Sequence, residues 1–530
     1  MGTQTLAVLV SAVLVAALAR RFNLSSPLLL VIAGLAIGLI PGVPVISLEP
    51  DVVLFVLLPP LLWSAGLESS YVNLRRNRRN IGMLAVGLPL ATTAAVGIVA
   101  YQLVPDLTLA AALTLGAIVA PPDAVSATAI GRRLGLPRRM MTLLGGESLL
   151  NDATALTAYK VALAATIGAA TSWESAVGTF ALAVACGVVI GIVLGQLIVY
   201  ARARLEDPLV ESAIGLVAPF LIYLIAEELQ GSGVLAVVSA ALVVGQRATR
   251  ASYATRLQDD AVWRALQLLL ESFAFLLIGL QLPKVVGELA GISAATLAVA
   301  SLGVLATVIG VRIVWVFLVA YLPRVSGARN GPSPRPAQVF IVAWAGMRGV
   351  VSLAAAFAVP MSTLAGDALP GRPQLVFLTF VVVIGTLLLH GLTLPWLIRR
   401  LGVQSDEVQT DAIRAAAAQT RATAAAAERL DQLIAEERES GETSYVQERA
   451  AEVLRRWNAN RGDAGWDGLG SDTEGLGESP AAAFRRLRLE MLAAERAALI
   501  TERDEERIDD EVLRSMLHGL DLEEATLNRD

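Results

Sequence analysis

Residues 145–153 read Gly-Gly-Glu-Ser-Leu-Leu-Asn-Asp-Ala within a long apolar stretch. Glu147, Asn151 and Asp152 are thereby placed at membrane depth, where an ionised carboxylate costs about 2.5–3.5 kcal/mol at a helix centre. Such a group needs something that binds it: a partner charge, a proton or a permeating cation. A buried Asp152 can hold a proton or a cation but not both, and that competition couples the movement of one to the movement of the other. Ser148 stands four residues before Asp152 and so shares its helix face. The Ser148 hydroxyl, the Asp152 carboxylate and a backbone carbonyl near Pro122 form a set of hard oxygen donors suited to Na+. Glu147 is one residue off that face, and an ion pair with Arg348 is its expected role. Stranding one member of a buried pair costs about 3–5 kcal/mol. Asn151 puts a neutral amide where a second acid would bring a second proton. One titrating acid per cycle implies one cation for one proton, with no net charge moved.

These residues need a membrane scaffold, and the composition supplies one. The chain has 530 residues, is 55% hydrophobic and has a mean hydropathy of +0.62. Thirteen apolar segments are expected at about 4–19, 27–42, 51–68, 81–104, 108–131, 141–169, 174–201, 209–229, 232–246, 262–283, 291–322, 337–360 and 374–398. The ninth is short enough to be re-entrant. Alternate loops carry the basic residues, from Arg20-Arg21 and Arg75, Arg76, Arg78 and Arg79 to Arg399-Arg400. The other loops offer Lys284 and Arg372. This asymmetry predicts an N-terminus outside and a C-terminus in the cytoplasm. The first segment is expected to be retained rather than cleaved, because no basic residue precedes it within Met1 to Thr5.

Two of the segments are interrupted. Pro121-Pro122 breaks the fifth, and Gly346 and Gly349 flank Arg348 in the twelfth. They are the fifth helices of halves 1–6 and 8–13, as expected of two inverted six-helix repeats with crossed broken helices. The expected fold is thus an all-α polytopic membrane protein with about 13 transmembrane helices in residues 1–400. Asp123 sits at the first break, either as a cap within the crossing or as part of the ion site. Residues 401–530 hold 16 basic and 29 acidic side chains, so this tail carries −13 and the rest +8 of a net −5. Residues 411–460 and 481–525 are expected to form soluble helices around a Gly-rich linker at 461–480, giving a helical cytoplasmic tail.

Several chemistries are excluded. One cysteine, Cys186, rules out an intramolecular disulfide framework and a thiolate metal cage. With two histidines, His390 and His518, a histidine metal centre is not expected. No Gly-x-x-x-x-Gly-Lys loop is present, which argues against ATP hydrolysis. The basic loops set topology and do not point to nucleic acid. Glu271 is open between helix packing and a cation route. Lys160 is expected to snorkel or pair, His390 to be a satisfied polar group, and Glu227-Glu228 to be solvated near the outer surface.

Four motifs carry a family resemblance: Gly-Glu-Ser-Leu-Leu-Asn-Asp at 146–152, Gly-Met-Arg-Gly at 346–349, Leu-Pro-Pro-Leu-Leu at 58–62 and Phe-Leu-Leu-Ile-Gly-Leu-Gln-Leu at 275–282. Over residues 1–400 the chain resembles the monovalent cation:proton antiporters, in the electroneutral sodium/proton exchanger branch, and its tail is similar to those of long bacterial exchangers. The resemblance implies a homodimer in the cell (inner) membrane, with no cofactor, and elevator-type alternating access in which Asp152 binds Na+ (or Li+) or H+. It implies that Asp123 and Asn151 steady the crossing, that Glu147 pairs with Arg348, and that Ser148 lends an oxygen. Two departures stand out. Many relatives have a threonine at the first break, where this chain has Pro122 before Asp123. Many also have an acid after Leu-Pro-Pro, where this chain has Ser64. The missing acid leaves K+/H+ exchange open as an alternative and makes Ser64, with Glu271, a point on the possible cation route. A membrane ion or pH sensor signalling through the tail to a partner is the alternative of another class.

Overall fold

The structure is a computed structural model that describes residues 2–22, 24–40, 50–69, 71–105, 107–168, 173–205, 207–247, 253–289, 292–325, 334–369, 371–403, 407–439, 449–456, 458–459, 480–505 and 510–527. It divides into two compact units, Met1–Gln404 and Ser405–Asp530.

The first unit is built almost wholly of helices. In chain order these are α1 (Gly2–Arg21), α2 (Ser26–Gly38), α3 (Pro50–Glu68), and α4 (Tyr71–Gly82), which runs through a π-turn at Met83–Gly87 into α5 (Leu88–Leu103). They continue as α6 (Leu109–Ile118), α7 (Ala124–Arg133), α8 (Arg138–Thr166), α9 (Trp173–Arg202), α10 (Pro208–Glu228), α11 (Gly233–Gln246) and α12 (Tyr253–Gly287). The last are α13 (Ala294–Val325), α14 (Pro336–Trp344), α15 (Val350–Phe357) and α16 (Arg372–Arg400). Each of the thirteen apolar segments is therefore helical where described, the fifth and twelfth as pairs of half-helices. Residues 41, 42, 169 and 291, at segment ends, lie outside the described residues.

Among the described residues, six helices are long and apolar enough to cross a membrane: Leu74–Leu103, Gly178–Arg202, Pro208–Glu228, Thr255–Gly287, Ala294–Leu322 and Arg372–Arg400. Their outward faces are apolar, as a lipid solvent requires: Leu182, Val189, Val193 and Leu197 on α9, and Val299, Leu302 and Val314 on α13, are all exposed. The π-turn is held from outside, because the indole of Trp315 donates to the Met83 carbonyl at 2.9 Å. α2 and α12 meet backbone to backbone. A Cβ built on Gly34 would collide with the Leu276 carbonyl, and one on Gly279 with the Val31 carbonyl. Small residues at such a crossing are how helices associate where lipid gives no hydrophobic drive between them.

The two breaks have local causes. Prolines 121 and 122 supply no amide donor and disfavour a helical residue before them, so α6 stops at Ile118 and the chain is non-helical through Asp123. Residues 345–349 interrupt the twelfth segment between α14 and α15.

The second unit holds α17 (Glu407–Glu439), a helical stretch at 449–456, α18 (Pro480–Asp504) and α19 (Asp510–Leu527). The expected Gly-rich linker at 461–480 falls outside the described residues apart from Pro480, which begins α18. Arginines bind these helices to one another, Arg455 to Asp431 at 2.7 Å and Arg488 to Glu523 at 2.7 Å.

Candidate functional site

The two breaks touch. The backbone N–H of Asp123 donates to the Met347 carbonyl at 2.7 Å, so each interrupted segment satisfies part of the other. Gly349 lies against the Asp123 carboxylate so closely that a Cβ there would collide with it. Glycine is required at that position to let an acid approach the second break. The Arg348 N–H, in the same break, donates to the Thr386 hydroxyl of α16 at 3.0 Å.

A broken helix leaves carbonyls at its C-terminal end without partners and with partial negative charge. Two buried arginines take up these ends. Arg348, fully buried, reaches across to the Ala120 carbonyl that follows α6, while its Nε and Nη2 have no hydrogen-bond partner. Arg312 of α13 serves α14: its Nε donates to the Ala343 carbonyl at 3.0 Å and its Nη2 to the Val342 carbonyl at 3.2 Å. Arg312 also forks onto Glu147, with Nη1 at 2.5 Å from Oε1 and Nη2 at 3.1 Å from Oε2.

The expected Glu147–Arg348 pair is thus corrected: the partner of Glu147 is Arg312. Arg348 is turned instead toward the Ala120 carbonyl of the opposite break. Arg312 presents the planar fork that fits both carboxylate oxygens at once. Sequence reasoning passed over Arg312. Its signal was a single arginine in the apolar run Val308-Ile309-Gly310-Val311-Arg312-Ile313-Val314-Trp315, and an ionisable residue inside such a segment is a candidate by default.

On α8, Asn151 is fully buried and its Nδ2 donates to the Pro122 carbonyl at 2.9 Å. That bond ties the sixth segment to the first break. The carbonyl retains a second lone pair. Asp152 and Ser148 face a cavity of about 900 Å3 whose lining also includes Asp123, Ser64 and Glu271. Five of the residues singled out in the sequence therefore share one space, while Glu147, Asn151 and Arg348 are buried in the packing beside it. α3 and α12 contribute Ser64, Gln267 and Glu271 to the cavity wall; α8 contributes Ser148 and Asp152. Arg20, Arg132 and Arg264 also line it, so it opens toward the side with the basic loops. Arg132 bridges to Glu68 at 3.5 Å, and both side chains are exposed.

Toward the other end of α8 lies a partly exposed ion pair. Lys160 lies two turns past Asp152 and binds Glu227 of α10 at 2.5 Å. The other Glu227 oxygen accepts the Gly233 N–H of α11 at 3.1 Å. No α8 residue beyond Asp152 lines the cavity. The arrangement is a cavity, on the side of the basic loops, whose lining reaches the Asp152 carboxylate next to two meeting helix breaks. Hard oxygens that can bind a small cation converge there.

Known proteins resemble this chain along its whole length. The profile of the family described as "Sodium/hydrogen exchanger, transmembrane" matches residues 9–400. An uncharacterized Na(+)/H(+) exchanger of Mycobacterium tuberculosis is 35% identical over 99% of this chain and 96% of its own. A sodium, potassium, lithium and rubidium/H(+) antiporter of Bacillus pumilus is 31% identical over 70% of this chain and 57% of its own. Among solved structures, the sodium proton antiporter MjNhaP1 of Methanocaldococcus jannaschii superposes with a TM-score of 0.61 at 19% identity, covering 76% of this chain and 98% of that one. This last likeness is one of fold.

Proposed function

The chain belongs to the sodium/hydrogen exchanger family and is a multi-pass cation/proton antiporter rather than an enzyme, and from that premise we propose that it exchanges Na+ (or Li+) for H+ electroneutrally at Asp152. In the cycle, Asp152 releases its proton as the cation arrives and takes one up as the cation leaves. Ser148, one turn earlier on the same face, adds a hydroxyl oxygen. The Asp123 carboxylate stands at the first break and lines the same cavity. Asn151 holds the Pro122 carbonyl in place. Glu147 is neutralised by Arg312, so it takes no part in the proton count.

The observation that carries this reading is that Asp152, Ser148 and Asp123 line one cavity together with arginines of the basic loops. Alternating access requires such a site to open to one face at a time. Elevator motion of the α8 side against α3, α10 and α12 would carry Asp152 from one face to the other. The two interrupted segments belong to inverted halves of the chain. We place the C-terminal unit in the cytoplasm, the N-terminus outside, and the protein in the cell (inner) membrane as a homodimer. The tail regulates exchange, so a chain ending near residue 405 keeps exchange with an altered pH profile.

The test is cation-induced proton movement in proteoliposomes, with Na+, Li+ and K+ compared while voltage is clamped at several values. A response to Na+ that voltage does not alter, and that Asp152→Asn abolishes in a protein of normal stability, is the expected result. Retained Na+-driven proton movement in Asp152→Asn overturns the site. A second reading, K+/H+ exchange, is favoured by Ser64 standing where many relatives have an acid. The Bacillus pumilus relative is named for potassium as well as sodium. A K+-only response would select it.

A further inference from the structure

Between the mouth of the cavity and Asp152, a cation passes a wall whose polar groups form a chain. On α3, the Ser64 hydroxyl donates to Gln267 Oε1 at 3.4 Å. On α12, Gln267 Nε2 donates to Glu271 Oε1 at 2.8 Å. Gln267 and Glu271 are four residues apart and share a helix face. All three line the cavity that Asp152 lines. The NH2 of Gln267 therefore faces Glu271 and its carbonyl oxygen faces Ser64.

We propose that Gln267 is a specificity-determining residue of this exchanger, clamping Glu271 and Ser64 into a staging site where the cation sheds water before reaching Asp152. This rests on the antiport reading above. Three features support it. The group presents three hard oxygens from two helices: the Ser64 hydroxyl of α3, and the Gln267 carbonyl and the Glu271 oxygen that Gln267 does not engage, both of α12. Oxygens arranged in this way replace an ion's hydration shell, and their number and field strength discriminate among cations. Next, among the described residues no basic side chain bridges Glu271. Of the carboxylates lining the cavity, Glu68 is bridged by Arg132, and Asp123 and Asp152 belong to the terminus of the route. Glu271 is the carboxylate on the α12 wall between them, and its hydrogen-bond partner is a neutral amide. The exposed Arg264 is likewise engaged, by Asp260 at 2.9 Å. Finally, depth fits. Arg264, Gln267 and Glu271 follow one another along α12 from the exposed mouth inward, about 10 Å over seven residues. The acid missing at Ser64 is in this way supplied from α12, with Gln267 joining the two positions.

The test is Gln267→Leu in proteoliposomes holding the full chain, with Na+, Li+ and K+ each titrated against proton movement. The expected result is an about tenfold rise in the Na+ concentration for half-maximal exchange, the factor a lost hydrogen bond to a charged group gives. The maximal rate stays within about twofold, and the order of preference among the three cations changes. A residue that only packs would not alter that order. Ser64→Ala is the companion, expected to shift half-maximal concentration in the same direction by a smaller factor. It decides the matter if Gln267→Leu does not fold. Unchanged half-maximal concentration and unchanged ion order in the folded variants overturn the proposal, as does a fall in maximal rate alone. A parent protein silent toward all three cations instead overturns the antiport reading itself.

Discussion

In the membrane unit Arg312 forks onto both oxygens of Glu147 at 2.5 and 3.1 Å, and in the tail Arg488 forks onto both oxygens of Glu523 at 2.7 and 2.9 Å. The bonds are nearly the same and the surroundings are opposite. Arg312 and Glu147 are 2% and 1% exposed, whereas Arg488 and Glu523 are 21% and 43% exposed. Water can replace either partner in the tail but neither in the membrane. The buried pair is therefore a constraint that the fold cannot relax, because each charge was desolvated on condition that the other be present. The tail pair is one member of an exposed network, joined by Arg488 to Glu495 at 2.8 Å and Arg496 to Asp521 at 2.6 Å, and its worth depends on salt.

Glu147→Gln should therefore show the largest effect. It strands Arg312 and is expected to cost about 3–5 kcal/mol, read as a fall in melting temperature and yield in detergent. A variant as stable as the parent would break the contrast between the two pairs. Glu147→Leu combined with Arg312→Met should recover much of that loss, since a matched apolar pair has no charge to strand. If the double variant melts no higher than Glu147→Gln, the caps on Val342 and Ala343 matter more than the ion pair. Arg348→Met comes next, because it uncovers the Ala120 carbonyl, at about 1–3 kcal/mol for a buried group left unsatisfied. The same thermal measurement ranks it, and an effect larger than that of Glu147→Gln would reverse the order argued here. The smallest change is expected for Arg488→Gln: faster hydrogen exchange within 480–504 and 510–527, no shift in the membrane unit, and a difference from the parent that shrinks in 1 M salt.

Acid sharpens the comparison further. The hydrogen bonds from Arg488 hold the Glu523 carboxyl below its ordinary value. A lowered carboxylate contributes stability at neutral pH that is lost as pH falls through the lowered value. Protection of α18 and α19 should accordingly be flat at neutral pH and decline only below the usual carboxylate range, about 4.3 for a free glutamate. A decline near pH 6 would assign the tail's cohesion to another group.

How much of this was legible in the sequence follows from distance along the chain. Glu147, Ser148, Asn151 and Asp152 lie within six residues, so helical periodicity alone relates them, and Ser148 and Asp152 indeed line the cavity together. Pro121-Pro122 and Gly346–Gly349 announced the breaks through backbone chemistry, and the half-helices end there. The partner of Glu147 is 165 residues away, and no local pattern distinguishes Arg312 from Arg348 as its counter-ion. The choice depends on which guanidinium the packing of α13 and the second break brings against α8. Gln267 was overlooked for a related reason. A glutamine beside a glutamate on an apolar helix has no distinctive sequence signal until Ser64 of another helix is placed against it.

The glycine contact between α2 and α12 has a bearing on motion. Two helices in backbone contact at Gly34 and Gly279 cannot slip past each other by a turn without driving a side chain into a carbonyl. They act as a splinted pair, and Gln267 and Glu271 travel with α2 whatever α8 does. Slip has to occur elsewhere, along surfaces where side chains meet side chains and an ion pair such as Lys160–Glu227 can part and re-form. In the proposed motion, the place where two backbones touch thus bounds where a shear plane can lie, and a bulky residue at either glycine would blur that boundary before it touched any ion.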